Sequence, residues 1–220
     1  MKIRLSELHL GETVGLVYRV YRPSTPGPIP AVVMVHGWGG DENAMWVFAQ
    51  TLPEGWLLVA PRGIRSDGAS GFIWGDPRSG DQTAQEAYAP AAELLGRLIG
   101  ELPRRHGADL ARTYLMGFSQ GVAVGFSLAL GRPGLIGGLA GLAGALSHSF
   151  EPRLTERPLK GLPVFLSNGT EDPLVPIAEA RLSEARLRAA GARVTYVEEA
   201  VGHKVGRRGM QALREWWRSL

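Results

Sequence analysis

Thr113-Tyr114-Leu115-Met116-Gly117-Phe118-Ser119-Gln120-Gly121-Val122-Ala123-Val124-Gly125-Phe126 is the stretch on which the reading of the fold turns. Its first part is an apolar run of strand character and its last part has helical spacing. Between them stands Gly117-x-Ser119-x-Gly121. Two glycines at that spacing permit a sharp strand-to-helix turn that lifts the central serine hydroxyl out of a sheet and onto a helix N-terminus. Five residues with three fixed would carry little alone, and a serine there could merely cap the helix. The strand before and the helix after make Ser119 a candidate nucleophile.

A serine hydroxyl needs a positioned base to take its proton. The histidines are His9, His36, His106, His148 and His203. Chains built around this elbow run in the order serine, acid, histidine. Only His148 and His203 follow Ser119, and only His203 leaves room for a strand-end acid in between. Gly202-His203 also sits in a loop before the last predicted helix, at the carboxyl end of the last strand, where open α/β sheets bind ligands. His203 is therefore the expected base.

The acid is expected after the preceding strand, in Asn168-Gly169-Thr170-Glu171-Asp172-Pro173. Pro173 biases Asp172 toward an extended or turn conformation that can project its carboxylate across to a neighbouring loop. This favours Asp172 over its neighbour Glu171 as the group that would orient the imidazole. Developing negative charge on a carbonyl oxygen needs two N–H donors. One is the amide of Gln120, directly after the nucleophile. The other is the amide of Trp38, in His36-Gly37-Trp38-Gly39-Gly40 after the apolar strand 31–35. His36 reads as ordering that loop.

Outward from the elbow, strand and helix signals alternate. Strands are expected over 14–21, 31–35, 56–60, 113–117, 163–167 and 193–198. A Gly-loosened strand and loop is expected over 135–146. Helices are expected over 42–52 with Asp41 as cap, from Asp81 to about Arg105, and over 120–130, 178–190 and 205–219. The alternation predicts a largely parallel sheet with helices on both faces. The long polar connection 62–80 carries Phe72 and Trp74, and connections of that length are usually functional. Trp38, Phe72, Trp74 and Met45 are candidates either for an apolar substrate groove or for packing. Trp216 and Trp217 read as packing, and an exposed pair would instead mark a homodimer face.

Composition bounds the alternatives. The chain has 220 residues, 45% hydrophobic and 20% charged, with 30 Gly and 15 Pro. This is globular composition for a single domain spanning 1–220, too rich in breakers for a plain helical bundle. There is no cysteine, which excludes disulfides, thiolate metal sites and cysteine nucleophiles. A net charge of +3 with no dense basic stripe gives nucleic-acid binding no support. The uncharged run 113–131 is better read as a buried strand and helix than as a membrane span. Met1-Lys2-Ile3-Arg4 opens without an apolar leader core, so a cytoplasmic location is expected. No H-E-x-x-H, Walker A or G-x-G-x-x-G motif occurs, so neither metal nor organic cofactor is expected.

His36-Gly37-Trp38-Gly39-Gly40-Asp41-Glu42-Asn43, Ala60-Pro61-Arg62, Gly117-Phe118-Ser119-Gln120-Gly121, Asn168 to Pro176 and Gly202-His203 stand in one register. In these motifs the chain resembles the small carboxylesterase/phospholipase family of α/β-hydrolases, which includes acyl-protein thioesterases. The resemblance implies an α/β-hydrolase fold without a separate cap domain. It implies a Ser119–Asp172–His203 triad with Trp38 and Gln120 as oxyanion amides. The implied activity is cleavage of small-molecule carboxylic esters of small to medium acyl chains through an acyl-enzyme. Lysophospholipid or acyl-thioester cleavage by the same triad and a non-catalytic binding protein on the same scaffold are the alternatives. Trp38 stands where the family usually has a smaller aliphatic residue, and Phe72 to Ser79 does not match its usual acidic segment. Both departures border the expected acyl pocket.

Overall fold

A computed structural model describes residues 8–78 and 81–220. The opening 1–4 and the end of the long connection, Ser79 and Gly80, lie outside the described residues. The strands are β1 (Leu8–Thr13), β2 (Leu16–Tyr21), β3 (Ile29–Val35), β4 (Leu57–Pro61), β5 (Arg65–Ser66), β6 (Phe72–Ile73), β7 (Ala108–Phe118), β8 (Leu139–Leu142), β9 (Pro163–Gly169) and β10 (Arg193–Glu199). The helices are α1 (Ala84–His106), α2 (Gln120–Gly131), α3 (Ile177–Ala189) and α4 (Arg207–Arg218). Eight strands form one sheet in the order β1-β2-β4-β3-β7-β8-β9-β10, while β5 and β6 pair separately within the long connection. From β4 to β10 every neighbouring pair is parallel, and β1 and β2 add an antiparallel edge. This is the expected α/β-hydrolase architecture.

Alternation along the central strands explains why their sequences read as unbroken apolar runs. Ala31, Val33 and Val35 of β3, Leu115 of β7 and Leu166 of β9 face one core, against α1, α2 and part of α3. Val32, Met34, Met116 and Phe165 face a second core, against residues 44–51 and α4. A strand covered on both faces needs apolar side chains at every position. Helix α2 is buried almost throughout, which accounts for the uncharged run 113–131.

Two elements depart from expectation for local reasons. The strand expected from Val14 starts at Leu16, because Val14 (φ 52°) and Gly15 (φ 83°) form the turn of a hairpin whose first strand is β1. Two-residue hairpin turns of this kind require positive φ at both positions, and valine is a poor signal for one. The helix expected over 42–52 is a 3-10 segment, Ala44–Thr51. Here the Trp46 indole N–H donates to the Glu42 carbonyl at 2.8 Å, the acceptor that an α-helix would offer to the Trp46 amide. Helix α1 begins after Thr83 rather than Asp81, because Thr83 and Glu86 form a reciprocal capping box.

Trp216 and Trp217 are both buried, so they form no exposed face. Trp217 meets Trp56, Tyr114 and Trp216 edge-on, with ring centroids 4.6–6.0 Å apart. Trp217→Ala is expected to lower unfolding free energy by about 3–5 kcal/mol in a urea titration. Leu110→Ala, at a 42% exposed position, is expected to change it by less than about 0.5 kcal/mol.

Candidate active site

The elbow is built by close backbone approach. Between the end of β7 and the start of α2, Ser119 holds φ 51° and ψ −115°, a conformation that costs a non-glycine residue about 1–3 kcal/mol. Its amide donates to the Leu142 carbonyl at 2.8 Å, and its carbonyl accepts from Val122 N–H at 2.9 Å. The flanking glycines are steric requirements. A Cβ at Gly121 would lie 2.2 Å from the Val35 carbonyl oxygen, and one at Gly117 would lie 2.4 Å from the Gly121 carbonyl oxygen.

Asp172 and His203 follow the adjacent parallel strands β9 and β10, which bring them together. The His203 Nδ1–H donates to Asp172 Oδ2 at 2.7 Å, and Nε2 lies 2.9 Å from Ser119 Oγ. With the carboxylate ionised, the ring proton belongs on Nδ1, leaving Nε2 to accept the serine proton. The other carboxylate oxygen of Asp172 accepts from the amides of Leu174 (2.8 Å) and Val175 (3.0 Å). Burial pushes the Asp172 carboxyl up, but the Val175 amide, the His203 ring and the Leu174 amide together hold it below its ordinary value. Glu171 is exposed and joins this corner through its amide, which donates to the Val201 carbonyl.

The loop after β3 lies against the elbow. Gly37 is so close that a Cβ there would sit 3.2 Å from the Ser119 Cβ. The Gly39 amide is taken by the Phe72 carbonyl and the Gly40 amide by the Gly37 carbonyl. The Trp38 amide has no acceptor among the described residues. Gln120 is the first residue of α2, where a backbone N–H has no intrahelical acceptor. Two amides thus remain available on either side of the serine.

His36 is fully buried, donating from Nδ1 to the Gly37 carbonyl (2.6 Å) and accepting at Nε2 from Gly63 N–H (2.8 Å). This pattern requires the neutral imidazole. Beneath it, Arg62 and Glu42 form a bidentate pair at 2.6–2.7 Å.

Two of the residues expected at the substrate groove lie elsewhere. Trp74 is fully buried, its indole N–H donating to the His36 carbonyl at 2.9 Å, so it supports the loop from below. Phe72 pairs its backbone with Gly39 and Gly40, and its ring is covered by the Arg62 guanidinium at 4.6 Å. Trp38, 44% exposed, and Met45 do line a cavity beside the elbow. Arg78 lies 4.3 Å over the Trp38 ring and is itself held by Asp76.

Sequence reasoning had no signal for the Gln120 side chain. Its Oε1 accepts from Trp74 N–H (2.9 Å) and its Nε2–H donates to the Gly75 carbonyl (2.8 Å). This ties the 72–76 segment to the start of α2. Of the remaining histidines, His106 bonds Tyr18, and His148 is exposed beside Glu179 and Arg186, on the wall of a cavity that Ser119 also lines. Among the described residues no group of His, Cys, Asp or Glu side chains could hold a metal ion, and no helix is long and apolar enough to cross a membrane.

Burial lowers the His36 pKa, outweighing the Gly37 carbonyl, Asp41 and Glu42, which raise it. The stabilisation from keeping this ring neutral is complete above the unfolded value of about 6.5 and is lost as pH falls through the lower folded value. His106, also lowered by burial, acts with the same sign. Urea midpoints are therefore expected to fall between pH 7 and pH 5. The fall should be shallower in His36→Asn, and an equal slope would contradict this account.

Known proteins are similar to this chain over most of its length. A phospholipase/carboxylesterase family model matches residues 19–219. An acyl-protein thioesterase 1 of Eremothecium gossypii is 28% identical over 164 residues, covering 68% of this chain and 69% of that protein. The esterase YpfH of Escherichia coli is 27% identical over 191 residues, covering 82% and 78%. The crystal structure of a carboxylesterase from Mesorhizobium loti superposes with a TM-score of 0.83 at 22% identity, covering 97% of this chain and all of that one. With its fold, its elbow and a family match over nearly its whole length, this chain belongs to the phospholipase/carboxylesterase family.

Proposed function

We propose that the protein is a serine hydrolase that cleaves carboxylic esters of small to medium acyl chains. The observation that carries this reading is the continuous relay from Ser119 Oγ through His203 to Asp172, at 2.9 and 2.7 Å, on a strained elbow flanked by two available amides. Ser119 Oγ attacks the ester carbonyl carbon while His203 Nε2 takes its proton. The Trp38 and Gln120 amides hold the resulting oxyanion, a contribution worth about 100- to 1,000-fold in turnover per donor. The intermediate collapses by breaking the ester C–O bond, and the departing alkoxide takes the proton from Nε2. Water, deprotonated by the same nitrogen, then attacks the acyl-Ser119 ester and releases the acid.

Asp172 keeps the ring in the required tautomer and stabilises the imidazolium. Its two amide bonds keep it ionised while this happens. The reading takes the chain as one domain acting in the cytoplasm, without metal or organic cofactor. The names of the thioesterase and esterase relatives support acyl transfer to water from either an oxygen or a sulfur ester. Matched p-nitrophenyl butyrate and butyryl-thiocholine assays would separate the two.

Ser119→Ala is expected to abolish p-nitrophenyl butyrate hydrolysis, with a loss in kcat of up to about a millionfold. Asp172→Asn should lose about ten-thousandfold with its fold intact. Equal rates for wild type and Ser119→Ala would overturn the nucleophile assignment. Inactivity of a folded wild type towards every ester and thioester tried would favour a binding protein on the same scaffold.

A further inference from the structure

Two unlike cavities flank Trp38. One, of about 500 Å³, is lined by Ser119 and Gln120 and has Arg78, His148 and Glu179 on its walls beside the apolar Leu146, Leu174 and Val175. The other, of about 460 Å³, lies on the far side of the indole and is lined by Ala44, Met45, Val47, Phe48, Phe118 and Met210, with Lys204 as its one charged residue. Trp38 belongs to both walls. The Arg78 guanidinium lies 4.3 Å over its ring, and the indole stands between the two cavities.

The position of His203 distinguishes the two cavities chemically. In ester cleavage the atom that leaves must receive its proton from His203 Nε2, so the alcohol arm lies on the histidine side. The apolar cavity is bounded there by Lys204 and Val205, which follow His203 in the chain, and by Phe118, whose ring packs edge-on against the imidazole at 5.3 Å. The acyl arm stays with the oxyanion amides, and the cavity containing Gln120 and Ser119 is the less apolar of the two.

From this arrangement we infer that the enzyme sorts the two arms of its substrate, with Trp38 as the partition. An apolar alcohol arm enters the 44–48 cavity, and a more polar acyl arm enters the cleft over Ser119. The substrate class is an ester of a polar-tolerant acid with a hydrophobic alcohol. This inference rests on the serine hydrolase reading above and adds a direction to it.

The test uses two ester series on the full-length protein. Butyrate esters of methyl to hexyl alcohols vary one arm, and methyl esters of acetic to octanoic acids vary the other. In wild type, kcat/KM is expected to rise along the alcohol series by up to about fourfold per buried methylene, and to rise less along the acyl series. Val47→Asp, at a position 59% exposed and so tolerant of charge, should reduce the hexyl-to-methyl ratio about tenfold. It should leave the acyl series ratio unchanged. Trp38→Ala, which keeps the backbone amide, should bring the two slopes together.

If Val47→Asp flattens the acyl series instead, the arms are reversed and the inference fails. If it flattens neither, the cavity is no subsite. Slopes unchanged in Trp38→Ala would remove the partition. None of these outcomes touches the hydrolase reading, which fails if Ser119→Ala retains the wild-type rate or if the folded wild type cleaves no ester or thioester.

Discussion

The contact between the first turn of α2 and the end of β3 governs the site. At Gly121 the helix backbone comes so close to the Val35 and His36 carbonyls that no side chain fits. A helix seated that deep leaves a single residue to connect it to β7, and that residue, Ser119, has no freedom to relax to negative φ. Because Val35 and Gly117 are paired in register on adjacent parallel strands, the loop after β3 and the elbow after β7 emerge side by side. The same logic operates on the other side of the serine. Glu199 pairs with Gly169 on β10 and β9, so Asp172 and His203 follow paired strand ends within a few residues. The sheet register therefore sets the distances across the relay, and no long-range adjustment of loops is needed to create them.

The half of the site made of loop needs more support, because an irregular segment has no ladder of its own. Here the support is a set of buried polar contacts under the 36–40 loop. Gln120 holds the backbone of Trp74 and Gly75, Trp74 holds the His36 carbonyl, and His36 holds Gly63. Phe72 adds two backbone bonds to Gly39 and Gly40. Each of these groups would be costly to leave unpaired in the interior, so the network resists partial disruption. Burial of a neutral histidine inside it links the integrity of the loop to pH. Gln120 is at both ends of this arrangement, presenting its amide to the proposed oxyanion position while its side chain fixes the segment that supports Trp38.

The parts of the molecule legible in sequence are those whose cause is local. The continuous apolar runs of β3, β4 and β7 report burial on two faces. The spacing Gly117-x-Ser119-x-Gly121 reports the close approaches that only glycine allows, and Pro173 after Asp172 reports a turn. What misled were positions whose surroundings are decided at a distance. Trp74 and Phe72 looked like groove residues because they sit in a long connection near the elbow. Which way such side chains face depends on the path of 62–78, and that path is set by contacts with Gln120, Gly39 and Gly40, distant in sequence. No sequence signal marks β1, because Val14 occupies a turn position that glycine or asparagine would have advertised. The 3-10 segment 44–51 was read as α-helix because one indole hydrogen bond, invisible to periodicity, takes the acceptor at its start.

A division of labour follows from where each group originates. The residues proposed for the chemistry follow the ends of β7, β9 and β10 within a few residues. The cavity walls come mainly from 37–48, 77–78, 144–148, 174–179 and 204–210, which are outside the main sheet. Side-chain changes there can alter the size and polarity of either cavity while the backbone amides that hold Asp172 stay in place. The relatives at 27–28% identity carry different names, one a thioesterase and the other an esterase. In this chain the wall residue that matters most is Trp38. Its backbone occupies a position demanded by the proposed oxyanion geometry, while its side chain is free to vary. An indole there gives a residue whose amide is constrained by the proposed chemistry a second place, in the walls of both cavities.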